Sequence, residues 1–380
     1  MSGWPDKFVI GLTGNIATGK SVVRRMLEHA GAFGIDADAL SHRAIASDAP
    51  GYRSVIEAFG QYLVKENGEI DREKLGQIVF SDPKALTILE SIVHPLVRQA
   101  VDHLLNRSKH RVIVIEAIKL LESPLRQACD VIWVVRADES IQLQRLKRGG
   151  MEAAEGRQRM AAQSSQEEKA AVADTVIENS GSITDTWEQV KQAWEKIIPE
   201  AIGEESPFKL HASADGLATT LQILRARPRQ AEEIARFMNA VDGEDQMEPQ
   251  IVVNSFGEKA FLLLQGKDGL MGLLGWKVEN LVARVDDVHF TKGLPLSTYI
   301  PFLVTEVEEA SKELQCEVAL VFVQPELAAH RDLWQRLGYE ERLPSELSVA
   351  AWQEAALESH RPDTVMLFKQ LRTDRILRPI

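Results

Sequence analysis

The stretch Gly14–Ser21, GNIATGKS, limits what this chain can fold into more than any other. It fits the pattern G-x-x-x-x-G-K-[ST] and follows Phe8-Val9-Ile10-Gly11-Leu12-Thr13, a short apolar run suited to a buried parallel strand. Val22 to Leu27 then alternates as the first turns of an amphipathic helix would. Strand, glycine loop and helix together predict a phosphate-binding turn. Gly14 and Gly19 let the backbone curl until successive N–H groups point inward, and the helix start adds about half a positive charge. The residues expected around a bound nucleotide are Gly14, Ala17, Thr18, Gly19, Lys20, Ser21 and Val22. Lys20 would reach the β- and γ-phosphates, and the Ser21 hydroxyl would ligate Mg²⁺. The plainer alternative is a glycine-rich turn capping an ordinary helix.

At 380 residues the chain exceeds one typical core, so two domains are expected. A formal charge of −12 speaks against a nucleic-acid binder that works through bulk electrostatics, so an anionic substrate must be held by local Lys, Arg and metal ions. The two cysteines, Cys129 and Cys316, stand far apart in apolar surroundings and imply neither a disulfide framework nor a zinc site. Met1 to Lys7 lacks the basic-then-apolar pattern of a signal peptide, and no apolar run reaches the roughly 18 residues of a membrane helix. Cytoplasm is the expected location, with no membrane partner.

Ala32 to Ile35 reads as a second strand ending in Asp36-Ala37-Asp38. In an open parallel sheet the carboxyl ends of strands face the ligand crevice, which brings Asp36 near the phosphate loop as a proton acceptor. Capping is its alternative role, and Asp38 suits the N-cap of a helix starting near Ala39. Further on, Asp71-Arg72 and Ser81-Asp82-Pro83 open helices, and His94-Pro95 marks another helix start, with His94 structural. Arg111 to Ile115 is a third buried strand ending in Glu116, Asp130 to Val135 a fourth, and Ala173 to Asn179 the last before a closing helix from Ser182. Strands alternating with helices predict a doubly wound parallel sheet. Arg145, Lys147 and Arg148 before Gly149-Gly150 fit either a lid that closes on a triphosphate or a solvated basic helix face.

GLTGNIATGKS, IDAD, GEIDREKLGQIVF, LESIVHP, the Leu120–Glu122 LLE, the Gln142–Arg148 run, RMAAQ ending at Gln163 and VIENSGS stand in fixed order over about residues 7 to 199. In these motifs the region resembles the dephospho-coenzyme A kinase family, whose fold is that of nucleoside monophosphate kinases. The resemblance implies ATP, Mg²⁺ and dephospho-coenzyme A as reactants. It implies Lys20, Asp36, Arg145 and Arg148 as catalytic residues, with Ser21 and Glu116 at the metal. Family members usually carry Asp-x-Pro-Leu-Leu-Phe-Glu after the third strand, where this chain has Glu116-Ala117-Ile118-Lys119-Leu120-Leu121-Glu122. The spacing from Arg145 to Arg148 is also one residue tighter than the family's. Another small-molecule kinase of this fold, or a nucleotide or coenzyme A sensor, stays open as an alternative.

Pro199 to Pro207 has the composition of a linker, so domains are expected at 1–199 and 208–371, with a tail at 372–380. The second domain reads as strand (221–227), helix (229–241), three strands (260–264, 270–278, 281–290), helix (296–314), strand (318–323), helix (327–337) and strand (365–371). That order, with Leu333-Trp334-Gln335-Arg336-Leu337-Gly338-Tyr339, resembles the GNAT acyltransferase superfamily, an α+β fold. The resemblance implies a site for acetyl-coenzyme A or coenzyme A on the loop Phe290–Pro295. Of the family's loop pattern only Gly293 is present, Pro295 lacks an N–H, and Trp334 stands where the family places a Tyr acid. Binding or scaffolding is therefore expected of this domain rather than acyl transfer.

Overall fold

The computed structural model describes residues 4, 6–148, 150–197, 222–243, 247–267 and 269–372. The expected linker at 200–207, and all of the expected tail except Arg372, lie outside the described residues. The chain divides into two compact units between Val190 and Lys191, within the helix Ile183–Ile197.

The first unit is built on five strands: β1 (Phe8–Thr13), β2 (Phe33–Asp36), β3 (Val112–Glu116), β4 (Val131–Arg136) and β5 (Thr175–Glu178), in the order β2-β3-β1-β4-β5. Every neighbouring pair is parallel. Apolar runs such as Val112-Ile113-Val114-Ile115 are buried along their whole length, as a sheet covered on both faces requires. Helices link the strands, beginning with Lys20–His29 after the glycine loop. The register aligns Leu12 of β1 with Glu116 of β3, and Glu116 with Asp36 of β2. Three chain segments thus end together at one edge of the sheet.

One expectation for this unit is corrected, and one alternative is favoured. His94-Pro95 does not start a helix; a single helix runs from Pro83 to Arg107 with Pro95 inside it. Its apolar face, including Val93, Val97, Ala100, Val101 and Leu104, is buried, and that burial outweighs the roughly 3 kcal/mol penalty of an interior proline. The basic run 142–148 is part of a regular helix, Glu139–Arg148.

Among the described residues the second unit contains seven strands: β6 (Gln222–Arg225), β7 (Ala260–Gly266), β8 (Gly269–Glu279), β9 (Val282–Phe290), β10 (Val318–Val323), β11 (Glu340–Glu341) and β12 (Val365–Gln370). Their order is β11-β12-β10-β9-β8-β7-β6. Only β9 and β10 pair in parallel, over residues 282–285 and 318–321. Strand β10 shows why the sequence folds this way. Ala319, Val321 and Val323 join one core with the helix Leu296–Glu313, while Val318, Leu320 and Phe322 join another with the helix Ala350–Ser359. Period-two alternation with both faces apolar buries all six residues. The tight β8–β9 connection puts Asn280 and Leu281 at φ 51° and 62°, left-handed values suited to a two-residue hairpin turn.

The expected order of elements is observed, with additions. The helices Pro249–Ser255 and Ala350–Ser359 were not anticipated. The single helix expected over 327–337 is two short ones, Pro325–Ala328 and Arg331–Arg336.

Candidate active site

Strand β1 ends at Thr13 and the loop begins at Gly14, where a Cβ would overlap the Val135 carbonyl oxygen. Ala17 is held at φ 59° and Gly19 at φ 93°. Left-handed geometry costs a non-glycine residue about 1–2 kcal/mol, so the surroundings must hold Ala17 there. They do so through several side chains. Gln163 Oε1 accepts from Ile16 N at 2.9 Å, and Asn15 Nδ2 donates to the Ser164 carbonyl at 3.0 Å. Asn179 Nδ2 donates to the Thr18 carbonyl at 2.7 Å, while Thr186 Oγ1 fixes the amide by donating to Asn179 Oδ1 at 2.8 Å. A Cβ on Gly19 would collide with that same Asn179 amide, so position 19 requires glycine both for its φ and for the space.

Lys20 opens the helix Lys20–His29 and is 7% exposed. Its ammonium donates to the Asn15 carbonyl at 3.3 Å. Ser21 Oγ donates to Glu116 Oε1 at 3.1 Å, and the other Glu116 oxygen accepts from Arg24 Nε at 2.8 Å. Arg24 also pairs with Glu28 at 2.6 Å, so its charge is shared between two carboxylates. Val22, the last residue expected around the nucleotide, sits on the first turn with its N–H donated to the Gly19 carbonyl at 3.1 Å.

Asp36 lies beside Glu116, and burial pushes its carboxyl up to about 6, with the Glu116 charge adding to the shift and Arg24 opposing it. The structure corrects the division of labour between the two aspartates. Asp36, not Asp38, caps the helix Ala37–Ala44, accepting from Ala39 N at 2.8 Å. The chain turns helical as soon as β2 ends, so the cap falls on the last strand residue and Asp38 is carried into the first turn. There Asp38 Oδ2 accepts from Ile118 N at 3.0 Å. The cap bond is to Asp36 Oδ1. Lys119, the other departure in this segment, pairs with Glu90 at 3.3 Å and is half exposed.

Arg145 is not poised above the loop. Its guanidinium donates to the Ala17 and Thr18 carbonyls, both at 3.1 Å, and to the Asn179 carbonyl at 2.7 Å. Arg148, at the end of the same helix, is exposed. Gln163 and Asn179, which shape the loop, carried no assigned role in the sequence reading. Their signal was present in the motifs RMAAQ and VIENSGS, but an amide reveals its function only once its partner is placed.

Among the described residues no cluster of three or more His, Cys, Asp or Glu side chains is arranged to hold a metal. A hydroxyl and one carboxylate oxygen already 3.1 Å apart, Ser21 and Glu116, are nonetheless a fitting donor set for Mg²⁺. That ion binds through one or two protein oxygens together with phosphate and water.

In the second unit, Pro295 is the residue before the helix Leu296–Glu313 and Gly293 has φ 84°. Trp334 is 2% exposed, with its indole N–H donated to the Leu327 carbonyl at 2.9 Å. No helix among the described residues is long and apolar enough to cross a membrane.

Comparison with known proteins places these observations. The Dephospho-CoA kinase family model matches residues 8–185. A dephospho-CoA kinase of Geobacter sulfurreducens is 40% identical over 195 residues, covering 50% of this chain and 99% of that protein. A solved structure from Thermus thermophilus, TT1252, covers 52% of this chain and 99% of its own at 32% identity, with a TM-score of 0.46. An acetyltransferase of the GNAT family from Staphylococcus aureus Mu50 covers 40% of this chain and all of its own at 13% identity, with a TM-score of 0.33. Near-complete coverage of a 40% identical relative settles the assignment: through its N-terminal half, this chain belongs to the dephospho-CoA kinase family.

Proposed function

We propose that the first unit transfers the γ-phosphoryl group of ATP to the ribose 3′-hydroxyl of dephospho-coenzyme A, giving coenzyme A and ADP. The hydroxyl oxygen forms a bond to the γ-phosphorus, and the bond from that phosphorus to the β,γ-bridging oxygen breaks. ADP leaves with the electron pair, and the hydroxyl proton passes to Asp36. The observation that carries this reading is the meeting of Lys20, the Ser21–Glu116 pair and Asp36 at one end of the parallel sheet.

Loop amides of residues 14–19 other than Ile16, which Gln163 holds, and Thr18, which bonds the Asn15 carbonyl, cradle the phosphates, and Lys20 exchanges its long contact with Asn15 for the β- and γ-phosphate oxygens. Ser21 and Glu116 would hold Mg²⁺, which would supply charge neutralisation at the phosphates. A carboxyl titrating near 6 is ionised at neutral pH yet basic enough to accept a proton, which suits Asp36 to general-base work. Arg145 serves the loop rather than the phosphoryl group directly, leaving exposed Arg148 as the arginine able to close on it.

The test is ATP consumption by the full chain with dephospho-coenzyme A, set against shikimate, gluconate and nucleoside monophosphates. Lys20→Ala should lower turnover by about 10³-fold, because the lost charge acts on a transition state in a dry site, while the melting temperature stays put. Unchanged turnover in that variant would sink the assignment.

The domain limits that fit this reading are 1–199 and 208–371, with a linker at 200–207 and a tail at 372–380. For the second domain the reading is a GNAT-like fold that does not transfer acyl groups. Pro295 offers no N–H to a pyrophosphate, and the Trp334 indole is buried with its N–H already used. Thiol release from acetyl-coenzyme A by the full chain, over a panel of amines, should stay at the background rate; amine-dependent release would make the chain a two-activity enzyme.

A further inference from the structure

We propose that Lys169 is a second phosphoryl-binding residue of this site, its ammonium acting with that of Lys20 on the group in transit between the phosphate loop and the acceptor. The proposal rests on the kinase reading above. Its starting point is a lysine in an unexpected place. Lys169 belongs to the short helix Gln166–Ala171, whose start is fixed by a reciprocal pair of bonds between Ser165 and Glu168. A lysine on such a helix ordinarily runs its stem along the surface and keeps its head in water. This one is 2% exposed.

Its position follows from what it touches. Lys169 Nζ donates to the Ile118 carbonyl at 3.2 Å, and that carbonyl also accepts from Thr13 Oγ1 at 3.1 Å. Thr13 is the residue immediately before Gly14, so the ammonium lies at the root of the phosphate loop. On the other side of the same residue, Ile118 N donates to Asp38, two residues from Asp36. The Lys169 ammonium therefore lies near the root of the loop and within reach of the charges of Lys20 and Asp38. Its chain segment is tied to the loop independently, through Gln163 to Ile16 and Ser164 to Asn15.

The charge balance is incomplete. An ammonium has three N–H donors, and the described partners of Lys169 use one. Lys20, also buried, likewise has a single long contact with a backbone carbonyl. Among the described residues neither lysine forms an ion pair. Asp38 and Glu122 are the carboxylates whose charges reach Lys169, and each is engaged elsewhere, Asp38 with Ile118 N and Glu122 with Ser164 Oγ at 3.2 Å. Burial lowers the Lys169 pKa, and the neighbouring Lys20 charge lowers it further. Two neighbouring buried ammonium groups, each hydrogen-bonded only to a carbonyl and sharing the more distant charge of Asp38, have no directly paired anion, and a phosphoryl group carries the charge and the oxygens they need.

The competing explanation is that Lys169 merely pins the Ile118 carbonyl. A neutral donor could do that, which gives the test. Wild-type, Lys169→Gln and Lys169→Arg full-length chains are compared in steady-state kinetics with ATP and dephospho-coenzyme A. Lys169→Gln, able to hydrogen-bond but uncharged, should lower kcat by about 10²-fold with the KM for dephospho-coenzyme A changed less than about threefold. Lys169→Arg should stay within about tenfold of the wild type because the charge is kept. A Lys169→Gln enzyme with kcat within about threefold of wild type overturns the proposal, as does an Arg variant that folds and loses as much as the Gln variant. If Lys169→Gln does not fold, the folded Arg variant decides alone on the same tenfold limit. Absence of wild-type turnover would overturn the reaction and this inference together, whereas an active wild type with an indifferent Gln variant strikes the inference only.

Discussion

The two units treat buried charge in opposite ways. In the second, three wholly or partly buried cations are closed off by carboxylates. Lys369 reaches both oxygens of Glu308 at 2.7 and 2.6 Å. Lys259 lies 2.7 Å from Asp286 and 2.8 Å from Asp287. Arg284 bonds Glu279, Glu358 and the Ala355 carbonyl. In the first unit, Arg24 is closed in the same manner by Glu28 and Glu116, but Lys20 and Lys169 are not, and Asp36 is held near 6 beside another carboxylate. A closed pair sets its mutual attraction against its desolvation cost and leaves little charge for a ligand. An open one keeps a standing electrostatic debit that a ligand of the right sign can remove. The difference separates a unit with ammonium groups left open beside its phosphate loop from one in which these three cations are already paired.

The sharpest way to test that contrast is to change the open carboxylate. Asp36→Asn should slow phosphoryl transfer by about 10²- to 10⁴-fold, the usual scale for a lost general base, with ATP affinity little changed by titration calorimetry. The pH profile carries the same information. Asp36 must be ionised to accept a proton, so wild-type kcat/KM, which reports the free enzyme, should fall as pH drops through about 6, approaching tenfold per pH unit. The Asn variant should lose that acid limb. If turnover held and only thermal stability fell, Asp36 would be a cap and nothing more.

Next in size is the closed pair. Glu308→Gln leaves the Lys369 ammonium without its carboxylate, and Glu308 is buried while Lys369 keeps about a quarter of its side chain exposed. Breaking a fully buried pair costs about 3–5 kcal/mol; the partial exposure of Lys369 brings the expected loss to about 2–3 kcal/mol by denaturant titration. Kinase turnover should not change, and a tenfold loss would show that the second unit is not energetically separate from the reaction.

The smallest effect belongs to Lys119, whose pair with Glu90 is at the surface. Lys119→Ala should cost no more than about 1 kcal/mol and leave the KM for dephospho-coenzyme A within about twofold. A larger KM change would mean that this departure from the family's pattern has altered substrate recognition after all.

Much of the first unit could be read from the chain because its signals are local. The run from Phe8 to Thr13, the glycines of the loop and the carboxylates ending β2 and β3 each carry their geometry in a few consecutive residues. What escaped depends on distant partners. Gln-Glu-Glu-Lys-Ala-Ala reads as a solvated helix, and only the fold turns Lys169 inward. Gln163 and Asn179 act on the loop from 147 and 161 residues away. Which aspartate caps a helix depends on where the strand stops, which composition does not settle to within two residues. Pro95 misled because a break signal was weighed without the buried face that carries the helix across it. In the second unit, Ala350–Ser359 was missed although its Trp352, Ala355 and Ala356 are buried, since its small and polar residues make a weak periodic pattern.

Ile118 carries a consequence for substitution. Its carbonyl serves Thr13 and Lys169, and its N–H serves Asp38. A proline, the residue the family pattern sets at this position, keeps the carbonyl but has no N–H to give. Exchanging the two residues is therefore not a neutral step: with Ile118→Pro, a buried carboxylate loses its donor while the acceptor side of the junction survives. Substitution at 118 therefore bears on Asp38, 80 residues earlier in the chain, through that one N–H.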